Sequence, residues 1–330
     1  MKKILQYLFE HKTLTRQQAR EVLTNIAGSA YNESEIAAFI TVFLMRSITI
    51  DELQGFRDAL LELCVRIDLN GHDAIDIVGT GGDGKNTFNI STLSCFIVAG
   101  TGQKVAKHGN YGASTISGAS NVMEALGYKF KNEAGRLKQE IEQAGICFLH
   151  APMFHPALKT VGPIRKNLGV RTFFNMLGPM VNPAFPKFQL VGVYNLEMAR
   201  IYNYLLQQTE GYYTIIHGLD GYDEISLTGD TKVITRKGEK IMTPEELGKR
   251  MVNASDIYGG NSVEEAAKIF TKILKVEGSW AQNAVVLANA AMALYSTGKF
   301  GKYDDAYAAA VESLESGKAY AALNTLISLQ

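Results

Sequence analysis

Between Asp83 and Glu124 the chain carries no carboxylate, yet that interval holds Lys85, Lys104, Lys107 and His108 among many Gly, Ser, Thr and Asn residues. Such a segment suits anionic oxygens. It is entered through the turn Gly79-Thr80-Gly81-Gly82-Asp83, and it contains Lys107-His108-Gly109-Asn110. Close backbone N–H groups at glycines, with a lysine as a mobile positive charge, form a phosphate-holding loop. The glycines also fit the dinucleotide pattern G-x-G-x-x-G, but that site needs an acid about 20 residues further on to hold the ribose. Lys104 and Lys107 stand there instead, so a dinucleotide is excluded. The turn leads into Asn86-Thr87-Phe88-Asn89-Ile90-Ser91-Thr92, where a helix is expected to start near Asn89. Asn89, Ser91 and Thr92 would then offer an amide, hydroxyls and free helix N–H groups to an anion.

A second group lies in His217-Gly218-Leu219-Asp220-Gly221-Tyr222-Asp223-Glu224-Ile225-Ser226. Adjacent carboxylates on a turn can be simply solvated. Asp223 and Glu224, however, follow an apolar strand and a glycine turn, which puts them at the same sheet edge. Two hard oxygen ligands beside a multi-phosphate site suit Mg²⁺, which binds through one or two carboxylates plus phosphates and water. Arg165, in Val161-Gly162-Pro163-Ile164-Arg165-Lys166, has the fork to clamp a carboxylate. It equally fits an ordinary helix surface, and spacing leaves Arg171, His155 and Asn175 open in the same way.

The elements that must position these groups change type near residue 70. Before it the pattern is helical, with capping boxes Thr15/Gln18 and Thr49/Glu52 and Asn32 as a helix N-cap. From Ala74 short apolar runs alternate with helices: 74–78, 104–106, 146–149, 189–193 and 213–216. That alternation predicts an α/β fold, a largely parallel sheet with helices on both faces, beside a small all-helical domain. Thr231 to Met242 reads as an antiparallel hairpin around Lys237-Gly238, and Thr243-Pro244 opens another helix. The Pro-, Gly- and Arg-rich stretch 152–186 is expected to cross back to the helical domain and line a cleft. The domains expected are 1–70, completed by about 160–185, and 71–330.

Length and charge narrow the classes. With 330 residues and Lys+Arg and Asp+Glu at 33 each, there is core enough for an enzyme and no bulk field for nucleic acid or membrane. Cys64, Cys95 and Cys147 are far apart in apolar runs, which suits buried thiols in a reducing compartment. Met1-Lys2-Lys3-Ile4-Leu5 imitates a signal peptide until Gln6, Glu10 and His11 break the run. A cytoplasmic location is expected.

Taken in order, Gly79-Thr80-Gly81-Gly82-Asp83, Asn89-Ile90-Ser91-Thr92, Lys107-His108-Gly109-Asn110, Phe154-His155-Pro156-Ala157, Arg171-Thr172 to Asn175, Leu177-Gly178-Pro179, Asn182-Pro183 and Asp223-Glu224-Ile225-Ser226 resemble the anthranilate phosphoribosyltransferases of tryptophan biosynthesis. The likeness spans nearly the whole chain. It implies a helical domain hinged to a larger α/β domain, a homodimer paired through the helical domains, and transfer of phosphoribose from 5-phosphoribosyl-1-pyrophosphate to the anthranilate amine. Two Mg²⁺ ions are implied, one on Ser91 and one on Asp223 and Glu224. By matching motif, Gly79, Gly82, Asp83, Thr87, Asn89, Ser91, Thr92, Lys107 and Ser114 would hold the donor. Gly79, Asn110, Arg165, His108 and His155 would line the anthranilate path, with Arg165 on the carboxylate. The chain departs from the pattern at Tyr111 and Ile116, which are basic in many members. That leaves fewer cations near the donor and weakens the contacts assigned to Ser114 and Ser117. Two other readings are weighed: a nucleoside phosphorylase, which needs no Mg²⁺ and is opposed by Asp223-Glu224, and a non-catalytic nucleic-acid binder, which the zero net charge opposes.

Overall fold

The computed structural model describes residues 1–112, 115–248 and 250–330. The chain folds into two compact units, Met1–Ile67 with Ala151–Phe185, and Asp68–His150 with Pro186–Gln330.

In the first unit the helices are Lys2–Phe9, Arg16–Ala27, Glu33–Met45 and Ile50–Leu63, joined by Pro156–Leu168 and the short Phe174–Leu177 from the returning segment. Thr15, Asn32 and Thr49 each accept from the third helical N–H, which carries Gln18, Glu35 and Glu52 respectively, so three starts are capped as their sequences dictate. The interior is built on phenylalanine. Phe39 and Phe43 meet the Phe56 ring edge to face, and Phe173 stacks on Phe56 at 4.6 Å. The Val65 N–H donates to the Phe154 carbonyl, Ile67 N–H to Pro183, and the Arg57 guanidinium to Met180. These bonds tie the returning segment into the bundle.

In this unit Glu52 is fully buried, yet it has a full set of donors. Arg46 forks onto both its oxygens at 2.5 and 2.9 Å, and the N–H groups of Leu14 and Thr49 and the Thr49 hydroxyl complete the shell. Burial alone would raise its carboxyl; the Arg46 fork and the N–H bonds outweigh it and hold the group below the usual range.

The second unit is a seven-stranded sheet among the described residues, in the order β3-β2-β1-β4-β5-β6-β7. The strands are β1 (Ile75–Gly79), β2 (Val105–Gly109), β3 (Ile146–His150), β4 (Phe188–Gly192), β5 (Tyr212–Gly218), β6 (Thr231–Thr235) and β7 (Gly238–Met242). The first five run parallel, and β6 and β7 are the antiparallel hairpin. Chain order reverses between β1 and β4, the switch point where open α/β sheets bind ligands. The helix Trp280–Ser296 is apolar and small along most of its length, and it packs close to Ile90–Gly100: Ser94 Oγ reaches the Val286 carbonyl at 3.3 Å. At its start the ring of Trp280, the only tryptophan, lies 3.8 Å under the Arg250 guanidinium. At the hairpin tip Arg236 donates to the carbonyls of Leu206, Gln207, Thr209 and Gly211, closing the C-terminal end of the helix Leu196–Leu206.

Candidate active site

The ends of β1 and β4 are both glycine, and Asp223 explains why. A Cβ on Gly79 would fall 2.4 Å from Asp223 Oδ2, and one on Gly192 would fall 1.6 Å from the Asp223 carbonyl oxygen. The Gly81 N–H donates to Asp223 Oδ2 at 2.7 Å. The turn after β1 is therefore wrapped around an acid that lies 142 residues further along the chain. Glu224 faces the next element: Oε1 accepts from the Ser91 N–H at 2.9 Å, and Oε2 lies 3.4 Å from the Thr87 hydroxyl.

Asp83 joins them. Its carboxyl accepts the Lys85 N–H at 3.0 Å, and its charge acts on Asp223. Burial lifts all three acids. Burial first and the Asp83 charge second push Asp223 up to about 7, while burial and the Asp223 charge put Glu224 well above the usual range despite the Ser91 N–H and Lys107. Asp83 is also raised by burial. Three acids raised chiefly by burial, with Asp83 adding to the rise at Asp223 and Asp223 to that at Glu224, turn hard oxygens toward a turn and a helix start and form an electrostatic arrangement short of positive charge. Among the described residues no three His, Cys, Asp or Glu side chains converge as a closed metal cage. The set fits an ion that keeps water and substrate oxygens in its shell, as Mg²⁺ does.

The structure differs from several readings of the residues. Lys107 and His108 are not on a loop after the second strand; they are inside β2, and Lys107 is only 2 % exposed. Its ammonium donates to the Ile77 carbonyl at 2.6 Å, so it is a fixed charge within the sheet rather than a mobile one. A long side chain in a central parallel strand cannot snorkel out, and the carbonyl and the nearby acids stabilise it in place. The first-turn N–H of Ser91, expected to be free for an anion, is held by Glu224. Asn89 stands at the N-cap, but its carboxamide exchanges bonds with Ser117, donating to the carbonyl at 2.9 Å and accepting from Oγ at 3.3 Å. Thr92 is buried in the same helix. Gly82 has positive φ, and the turn needs it. His108 is buried, with its N–H on Asp76 Oδ1 at 3.2 Å. Asn110 catches the Tyr111 N–H with its own Oδ1. Ser114 lies outside the described residues.

Arg165 and His155 belong to the helical unit. Arg165 donates to Asn175 Oδ1 at 3.1 Å and lies over the Phe174 ring, desolvated enough to lower its pKa. His155 is buried at the start of Pro156–Leu168; burial drives it down to about 4 against backbone hydrogen bonds to Val181 and Leu60, so the ring is neutral near pH 7.

One positioning residue escaped the sequence reading. Asn289 is an amide within the apolar run 284–294 of the helix Trp280–Ser296; its Oδ1 accepts the Ile225 N–H at 3.1 Å and its Nδ2 donates to the Ile225 carbonyl at 2.8 Å. It fixes the backbone just after Asp223-Glu224. The available signal was a polar side chain interrupting a run of alanines and valines.

Comparison with known proteins bears on this arrangement. The a/b domain of a glycosyl transferase family matches residues 71–320, and its helical bundle domain matches residues 2–64. An anthranilate phosphoribosyltransferase of Christiangramia forsetii is 58 % identical over 97 % of this chain and 96 % of that protein. One of Flavobacterium johnsoniae is 60 % identical over 99 % of this chain and 98 % of that protein. The chain belongs to the anthranilate phosphoribosyltransferase family. It is an enzyme, a pentosyl-group transferase. Among solved structures, the family's Thermus thermophilus protein matches with a TM-score of 0.88 at 33 % identity, covering 98 % of each chain. The Saccharomyces cerevisiae family protein in complex with PRPP and Mg matches with a TM-score of 0.88 at 28 % identity, covering 96 % of this chain and 93 % of that one.

Proposed function

We propose that this chain transfers the phosphoribosyl group of 5-phosphoribosyl-1-pyrophosphate to the amine of anthranilate, releasing pyrophosphate, as a step of tryptophan biosynthesis. The observation that carries the reading is the trio at the β1/β4 switch point, buried Asp223 and Glu224 with half-buried Asp83, short of positive charge. Its oxygens suit Mg²⁺, and the Saccharomyces cerevisiae relative is described with PRPP and Mg. Two ions are proposed, one on Ser91 and one on Asp223 and Glu224. The bound ions supply charge neutralisation of the pyrophosphate as it leaves.

The chain's own groups do the rest. Donor phosphates lie on the Gly79–Asp83 turn and on the N-terminal turn of the helix Ile90–Gly100, where they compete with Glu224 for the Ser91 N–H. Gly82, Thr87, Asn89, Thr92 and Ser114 belong to the same donor set, and the buried Lys107 adds a fixed positive charge behind it. Anthranilate is assigned to Gly79, His108, Asn110, His155 and Arg165, with the Arg165 fork on its carboxylate. A relative of this chain is described in complex with 4-fluoroanthranilate. The amine is neutral at pH 7 and needs no strong base before attack, so positioning and stabilisation of the departing charge supply the catalysis.

A homodimer through the helical unit is part of the proposal. Phe9 and Met45, 63 % and 84 % exposed, end the helices Lys2–Phe9 and Glu33–Met45, leaving an apolar face to cover. No helix among the described residues is long and apolar enough to cross a membrane. The three cysteines are free and buried, which supports a cytoplasmic location. The test is direct: with anthranilate, the donor and Mg²⁺, anthranilate fluorescence should decay. No decay, together with phosphorolysis of a nucleoside without Mg²⁺, would replace this reading.

A further inference from the structure

Gly112 and Gly118, between Asn110 of the anthranilate set and the helix Ala119–Ala125, are drawn together by one side chain. Asn121 Oδ1 accepts the N–H of Gly112 at 2.9 Å and the N–H of Gly118 at 3.0 Å. A Cβ on Gly118 would fall 2.2 Å from the Gly112 nitrogen, so the neck closes only with glycine there. Ser117 is tied to Asn89 at the start of the helix Ile90–Gly100, and the Asn110 carbonyl accepts the Ser120 N–H at 3.1 Å.

The residue immediately before the neck is Tyr111. Its ring meets His150 edge-on at 4.9 Å and Phe130 at 6.3 Å. Phe130 in turn stacks flat on His150 at 4.2 Å, with 16° between the planes. His150 ends β3, in register with Gly109, and Ser120 Oγ bonds its Nδ1 at 2.8 Å. Burial holds this imidazole neutral near pH 7. Phe130 is itself backed by Tyr128 and Phe148, and the Tyr128 hydroxyl is fixed by Glu140 at 2.8 Å. The shelf under Tyr111 is therefore braced from several sides and anchored to β3 through Phe148 and His150. The Tyr111 ring rests on it one residue before Gly112.

We propose that Tyr111 is a positioning residue for the phosphoribosyl donor: its ring, seated on the Phe130–His150 stack, fixes the close approach of Gly112 and Gly118 and, through Ser117, the donor-set amide of Asn89. The ring makes this contact, and the hydroxyl adds little, since it lies 3.5 Å from Glu124 Oε2. The inference rests on the donor-binding reading above.

The experiment titrates PRPP with Mg²⁺ into the full-length chain by calorimetry, followed by steady-state kinetics with anthranilate saturating. Tyr111→Ala should weaken donor binding and raise the KM for PRPP by about tenfold, with kcat and the melting temperature close to the parent's. Tyr111→Phe should restore parental values, and Phe130→Leu should reproduce the alanine effect in part. Unchanged donor binding in Tyr111→Ala overturns the proposal. So does a loss of kcat and melting temperature at constant KM, which would mark a merely structural ring, or a Tyr111→Phe variant as poor as alanine. A parent chain that binds PRPP without consuming anthranilate sinks the reaction reading and leaves this inference standing. A parent that binds no PRPP sinks both.

Discussion

Buried carboxylates in the helical unit and at the sheet's switch point are handled in opposite ways. In the helical unit Glu52 meets an arginine fork, two N–H groups and a hydroxyl, and its carboxyl ends below the usual range. At the β1/β4 switch point Asp223 and Glu224 receive a few N–H bonds, face each other and Asp83, and end far above it. Burial penalises all of these groups equally in kind; what differs is whether the chain itself supplies the countercharge. A satisfied buried acid is architecture. An unsatisfied cluster on glycine-lined strand ends is a place kept for something the chain does not encode.

The strongest test of that contrast is a pair of isosteric substitutions. Glu52→Gln should cost about 3–5 kcal/mol in denaturant unfolding, because Arg46 keeps its burial and loses its partner. Asp223→Asn should unfold no more easily than the parent in the absence of metal, while transferase activity falls by about 100-fold or more. If Asp223→Asn destabilised as Glu52→Gln does, the two sites would be of one kind. Next in size is the response to acid in the helical unit. The folded pKa of His155, about 4, lies below the unfolded value of about 6.5. Above pH 6.5 the ring is neutral in both states and contributes nothing. Between there and pH 4 only the unfolded chain gains the proton, so stability should fall by up to about 3 kcal/mol. His155→Phe should flatten that slope in a urea series run at several pH values.

Metal comes third. Mg²⁺ at 100 times its Kd should stabilise the folded chain by about 2.7 kcal/mol, and a thermal-shift series on Asp223→Asn should lose most of that gain. An undiminished shift would place the ion elsewhere. The smallest effect belongs to the exposed pair Arg20 and Glu62, at 2.8 Å in the helical unit. Charge reversal of both should move stability by less than about 1 kcal/mol, since solvent and salt already screen it.

Much of the fold was legible because it rests on local chemistry. The capping threonines, the switch from helical to strand-length apolar runs and the Lys237-Gly238 turn all act over a few residues. The glycine turn and Asp223-Glu224 were also visible, since few uses of such residues are compatible with strand ends. What could not be seen depends on long-range pairing. Nothing near Ser91 says that its N–H is taken by a carboxylate 133 residues away. Lys107 looks like a loop lysine until β1 and β3 close around it. Asn289 was passed over because a run of small apolar residues explains itself without asking what the one amide within it grips. The Tyr111 shelf joins residues from three separate stretches, and only the departure at Tyr111 was noticeable beforehand.

Trp280 makes the two units optically distinct. It is the only indole in the chain and belongs to the α/β unit, whereas the helical unit is filled with phenylalanine and has only Tyr7 and Tyr31 to absorb beside it. Emission excited beyond the tyrosine band therefore follows the sheet-bearing unit by itself, and far-ultraviolet dichroism follows both. A chain in which the helical bundle opens first would lose ellipticity while its fluorescence stayed constant, so two simple spectra can tell which half yields.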